Sequence, residues 1–330
     1  MQQAHNIPSR KFGKSEVSVS ALGLGGHHLG DASDETEAKR IIDEAIDGGI
    51  TFFDNCWEYH RGKSESWMGA ALKGKRNRIF LMSKVCTHGR GKDLAIQMLE
   101  QSLRRLRTDH LDLWQVHGVS FDNDPELFIR QNGAAEALAE AKKRGLVRFV
   151  GFTGHKDPSI HLAMLRTGFP FDAVQMPLNA FDASFRSFEQ QVLPELNSKG
   201  IAAIGMKPIS GHGEPVEKGV LTAEEALRYA MSLPVTVTIT GMDKIDIVRQ
   251  NLAIAQSFVP MSQQEMEALR TRCKQYASDG RFELYKTSLK YDNPEARLAH
   301  GFPLDLEQKE VKEMIRATEN TGHPFPKLTQ

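Results

Sequence analysis

The sequence predicts a (β/α)8 TIM barrel with a C-terminal extension, and three observations carry that prediction. Eight short apolar runs, rich in β-branched and aromatic residues, recur at 19–25, 49–54, 78–84, 111–117, 147–153, 171–176, 201–207 and 235–240. Stretches of helical pattern separate them, and crossovers of that length require parallel strands. The eight units occupy a length close to the ~250 residues typical of a closed barrel. A doubly wound sheet would show the same alternation, so closure itself is not read from the pattern.

Each element has its own warrant. The run "VSALGLG" leads into "GLGGHHLG", which suggests a dinucleotide fingerprint but has His28 where the third glycine belongs. It reads instead as a tight first βα loop, with Gly25 close to a bound cofactor. His27 and His28 are not expected to hold a metal, because adjacent side chains there diverge. The first helix opens with Asp34 and an acidic turn and stops at Gly48-Gly49. The helix from Lys92 repeats leucines on one face, and the one over 133–145 ends in Lys142, Lys143, Arg144 and Gly145. Further helices are expected at 64–73, 158–166, 186–199, 222–232 and 244–257.

Beyond residue 258 the pattern changes. "SQQEMEALRTRCKQYASDG" reads as one more helix, and residues 279–330 are rich in turn formers without periodicity. Phe282, Tyr285, Tyr291 and Phe302 are too many aromatics for a solvated tail. The expected organisation is therefore a barrel over 1–260, with 261–330 a C-terminal helix and extension packed on the same domain. Part of 279–305 is expected to wall the substrate pocket.

Composition removes several function classes. Lys plus Arg and Asp plus Glu each number 42, so no broad positive field is available for nucleic acid. The three cysteines, Cys56, Cys86 and Cys273, form no CxxC or CxxH pair, which argues against a structural metal or a redox motif and fits a reducing compartment. The N-terminus has no apolar stretch of signal-peptide length, and no run of ~18 apolar residues marks a membrane span. The expectation is a cytoplasmic protein without a metal site. Nothing in the pattern fixes its oligomeric state.

The strand ends carry the chemistry. In a (β/α)8 barrel the active site lies at the C-terminal face. The second run ends at Asp54, the third at Lys84 and the fourth at His117, with Tyr59 on the loop after the second. Period-two alternation puts these strand-end residues on the inward face. Taken singly, each has a structural role as cap, solvated cation, core histidine or rim aromatic. Together they suit proton transfer to a carbonyl oxygen: a phenol of pKa ~10 as acid, a lysine to lower it, an aspartate to hold the lysine and a histidine as second donor. An aldolase using Lys84 as a Schiff base is a rival, which an Asp54 partner would disfavour by keeping the amine protonated.

The segments "FFDNCWEYHRGKSESWMGAAL", "LMSKV", "LRRLRTDHLDLWQVHG" and "GLVRFVGFT" resemble the aldo-keto reductases, in order and spacing over about residues 8 to 257. The resemblance implies that Asp54, Tyr59, Lys84 and His117 form the catalytic set, with Tyr59 the general acid in reduction and the base in oxidation. It implies a nicotinamide cofactor, NADPH with NADH an alternative, and a small-molecule carbonyl substrate. Thr153 stands where the family places a serine for the nicotinamide amide, and Gln175 matches the family's glutamine. Met206 replaces a stacking tyrosine. Gly241 opens the phosphate loop, Gln250 and Asn251 match the pair that contacts adenine, and Lys244 or Arg249 would meet a 2′-phosphate. Trp57 is expected in the substrate pocket, with loops 86–92 and 119–131 as further walls. Some members of this family are regulatory subunits, so a nicotinamide-binding redox sensor with little turnover is the second class.

Overall fold

The computed structural model describes residues 6–85 and 91–292. A two-stranded antiparallel hairpin comes first, β1 (Ser9–Lys11) and β2 (Ser18–Ser20). Eight parallel strands then close into a barrel in sequence order: β3 (Leu22–Gly25), β4 (Phe52–Asp54), β5 (Phe80–Val85), β6 (Leu111–Val116), β7 (Val147–Thr153), β8 (Ala173–Pro177), β9 (Ala202–Met206) and β10 (Val237–Gly241). β10 returns to β3, with Gly241 opposite Gly25. Closure satisfies both edges of every strand, which the alternation alone did not establish.

Two cores result. Inside the barrel, Phe52, Phe80, Met82, Leu113, Ile204 and Val237 pack with Phe12 and Val19 of the hairpin. Phe12 lies 4.7 Å from Phe80 and 4.9 Å from Phe149, ring centre to ring centre, and so plugs the N-terminal end. The second core lies between the strands and the surrounding helices, where Trp114 is buried, as its outward alternation requires.

The helices follow their sequence signals. Asp34 accepts from Glu37 N at the start of Glu35–Asp47, and capping boxes open Ala223–Ser232 and Gln263–Ala277. The stretch expected as one helix over 186–199 is two pieces, Phe188–Gln191 and Leu193–Lys199. Pro194 has no N–H to continue the first piece, so the chain restarts around it.

After Gln263–Ala277 the chain packs back against the loops following β7 and β8. Lys286 is fully buried and donates to Asp182 Oδ1 at 2.6 Å, with Glu283 Oε1 at 2.9 Å. Tyr285 donates to Glu283 and accepts from Asn179, and Lys156 pairs with Asp292 at 2.6 Å. Phe302 and the rest of 293–330 lie outside the described residues. No described helix is long and apolar enough to cross a membrane.

Candidate active site

The C-terminal ends of the strands deliver the predicted side chains to one place. Gly25 on β3 stands opposite Asp54 on β4, Lys84 on β5 opposite Gln115 on β6, and Thr153 on β7 opposite Gln175 on β8. Lys84 and Asp54 are nearly sealed from solvent, at 1% and 3% exposure. The Lys84 ammonium donates to Asp54 Oδ1 at 2.5 Å, to the Asn55 carbonyl at 2.9 Å and to Tyr59 Oη at 3.2 Å. Gln175 Nε2 donates to the other Asp54 oxygen at 2.9 Å. Charge and hydrogen bonding are therefore both met inside the barrel, as a buried ion pair requires.

Backbone contacts explain how the loop after β4 brings Tyr59 back. Asn55 N donates to Met82 O and Trp57 N to Lys84 O, so the chain hangs on the end of β5 before turning through Tyr59–Gly62. The His117 ring lies 5.9 Å from Tyr59, edge to face. Asp54, Tyr59, Lys84 and His117 thus converge on one rim.

One expectation about this group is corrected. Lys84 was expected to lower the Tyr59 pKa. Burial instead holds the phenol well above its ordinary value of 10, and Asp54, Cys56 and Glu58 add to the rise. The lysine's charge faces Asp54 at shorter range, so its pull on the phenol does not offset burial. Tyr59 is kept as a proton donor.

A cleft of about 410 Å³ opens over this group, lined by Gly25, Asp54, Tyr59, Gln175, Met206 and Gly241 among the residues expected there. Lys207, Ser210, His212 and Asp243 are among the other residues that line it. A Cβ on Gly241 would sit 2.2 Å from the His28 ring, so only glycine lets the backbone approach there. Lys207 ends the seventh apolar run, and the sequence assigns it no role. Desolvation pulls its ammonium down to about 8, against Glu214, and it lies about 5 Å over the rings of Tyr285 and Tyr291. Its position just past the end of β9 was the available signal.

Other expected residues lie apart from the cleft wall. Thr153 is buried and stands opposite Gln175 in the sheet. Lys244 is the exposed residue preceding Ile245–Gln256, Gln250 is exposed on that helix and Asn251 is buried. Arg249 is engaged by Glu44 at 2.8 Å, which leaves Lys244 as the cation nearer the loop. Trp57 does not line the cleft. Its indole donates to Gln101 at 2.8 Å, and Arg105 covers the ring, so it is turned to the helix Lys92–Leu106. Of the loops expected to wall the pocket, residues 86–90 lie outside the described residues. His27 and His28 do not diverge as expected. Residues 26–29 form a helical turn, and ligand atoms of both lie within 4.8 Å of each other and of Asp31.

The residues present fit a nicotinamide dinucleotide. Gln175 Oε1 is buried and has no hydrogen-bond partner among the described residues, an acceptor suited to a carboxamide N–H. Ser210 Oγ is likewise buried and unpartnered. The helix Ile245–Gln256 starts without a side-chain cap, leaving its first N–H groups for phosphate.

Comparison with known proteins bears on the family and the fold. The model of the aldo/keto reductase family matches residues 21–213. The uncharacterized oxidoreductase YqkF of Bacillus subtilis is 26% identical over 310 residues, 81% of this chain and 96% of that protein. The aldo-keto reductase AKR11C1 of Bacillus halodurans, in its holo form, superposes with a TM-score of 0.68 at 25% identity, over 81% of this chain and 96% of that one. An aldo-keto reductase from Klebsiella pneumoniae in complex with NADPH shares the fold, with a TM-score of 0.67 at 23% identity over 82% and 95% of the two chains. The chain belongs to the aldo/keto reductase family of NAD(P)H-dependent oxidoreductases.

Proposed function

We propose that this enzyme reduces aldehydes or ketones to alcohols, reversibly and with NADPH, using Tyr59 as general acid. The observation that carries the reading is the chain of contacts from Asp54 through Lys84 to Tyr59, at 2.5 and 3.2 Å. The cofactor, when bound, supplies the hydride. Gln175, Met206, Ser210 and the loop from Gly241 would hold it, with Thr153 opposite Gln175, Gln250 and Asn251 toward the adenine and Lys244 toward a 2′-phosphate.

The chain's own residues handle the proton. A carbonyl oxygen gains negative charge as its carbon is reduced, and donors aimed at that oxygen lower the barrier. Tyr59 Oη donates the proton, and burial keeps it protonated until that charge develops. Lys84 fixes Oη by its hydrogen bond and stabilises the phenolate left behind. Asp54 and the Asn55 carbonyl hold Lys84, and Gln175 holds Asp54. His117 is the second donor at the substrate oxygen. In oxidation each step reverses.

The test is Tyr59→Phe, which keeps the ring and deletes the donor. Carbonyl reduction should fall by about 10²–10⁴ in kcat, with NADPH affinity unchanged. Reduction at the natural rate would remove Tyr59 from the mechanism. Single turnover without catalysis in the natural protein would favour a sensor.

A further inference from the structure

Glu58 has no role in the scheme so far, yet its carboxylate Oε1 lies 2.5 Å from His117 Nδ1, with both side chains less than a fifth exposed. Cys56 Sγ lies 3.3 Å from the same nitrogen, and its thiol is directed to the Lys84 carbonyl at 3.5 Å. Burial pushes that thiol well up, so it stays neutral. A carboxylate is the stronger acceptor of the two and decides which ring nitrogen carries hydrogen. Nδ1–H donates to Glu58. The opposite nitrogen, Nε2, then donates only in a ring that carries both protons. Among the described residues, the other charged or titratable groups at this point are Tyr59, the Asp54–Lys84 pair and His155. Glu58 is the carboxylate in contact with the ring.

We propose that Glu58 is a positioning residue acting through His117: it fixes the Nδ1–H form of the ring and balances its charge when Nε2 also presents a proton to the substrate oxygen. No bond is made or broken at Glu58. A carboxylate behind a histidine orients the ring in the same way in other proton-transferring sites. The inference rests on the proposed role of His117 beside Tyr59.

A double-mutant cycle tests it, with NADPH and the best substrate among benzaldehyde, glyceraldehyde and methylglyoxal. Glu58→Gln should lower kcat/KM about tenfold or more in the natural background, but less than about twofold when His117 is already Gln, because residues acting as a unit are not additive. The Kd for NADPH should stay the same, and Glu58→Asp should recover part of the loss. Equal losses in both backgrounds, or no loss in the natural one, would overturn the inference. If His117→Gln alone loses nothing, the role of His117 itself fails, which is a separate result. Should Glu58→Gln not fold, Glu58→Asp carries the same cycle with a smaller expected loss.

Discussion

The ammonium of Lys84 lies 2.5 Å from Asp54 Oδ1, and both side chains are at most 4% exposed. Removing one partner strands the other in a medium that solvates charge poorly. Lys84→Met should therefore cost ~3–5 kcal/mol of stability as well as activity. Thermal unfolding and kcat measured on the one variant check both parts. Full stability with activity lost would show that the pair serves the chemistry and adds nothing to the fold.

Cofactor choice is expected to depend on Lys244. Arg249 already serves Glu44, so Lys244 is the better placed of the two cations for a 2′-phosphate. Lys244→Ala should weaken NADPH by ~1–3 kcal/mol and leave NADH nearly unchanged. Equal weakening of both, by fluorescence titration, would assign Lys244 to the solvated surface.

The C-terminal contact should be sensitive to charge. Lys286 is the fully buried cation between Asp182 and Glu283. Lys286→Met leaves two buried carboxylates unpaired and should cost ~3–5 kcal/mol. A melting temperature within a degree or two of the natural protein would show that this segment contributes little to the fold.

The same cluster gives a pH dependence. Desolvation raises the Glu283 carboxyl to about 7 from an ordinary 4.5. Between those values the folded state holds a proton that the unfolded chain has released. The associated stability is present below that range and is lost as pH rises through 7. Unfolding free energies taken across this range should fall, and Glu283→Gln should flatten the trend. A natural protein that gains stability over that range would contradict the assignment.

Much of the fold was legible because barrel strands are sealed on both faces and read as plain apolar runs. Asp54, Lys84 and His117 were found through the same regularity, since alternation fixes which strand-end residue points inward. The hairpin of Ser9–Lys11 and Ser18–Ser20 was missed, as three-residue strands carry no periodic signal. The direction of Trp57 was not readable either. It is set by Gln101 and Arg105, more than 40 residues away along the chain. The state of Tyr59 escaped for a related reason. A lysine nearby suggests a lowered pKa, but the sequence shows neither the burial that raises it nor the Asp54 carboxylate that adds to the rise. Glu58 stood beside Tyr59 in plain view, and only the fold shows that it faces His117.

The plug formed by Phe12 has a consequence for traffic. A barrel packed at its base lets nothing through from below, so among the described residues Tyr59 is reached from the rim where the strands end. The floor of the site is thus fixed by apolar packing, which leaves the loops at the rim to set what is admitted.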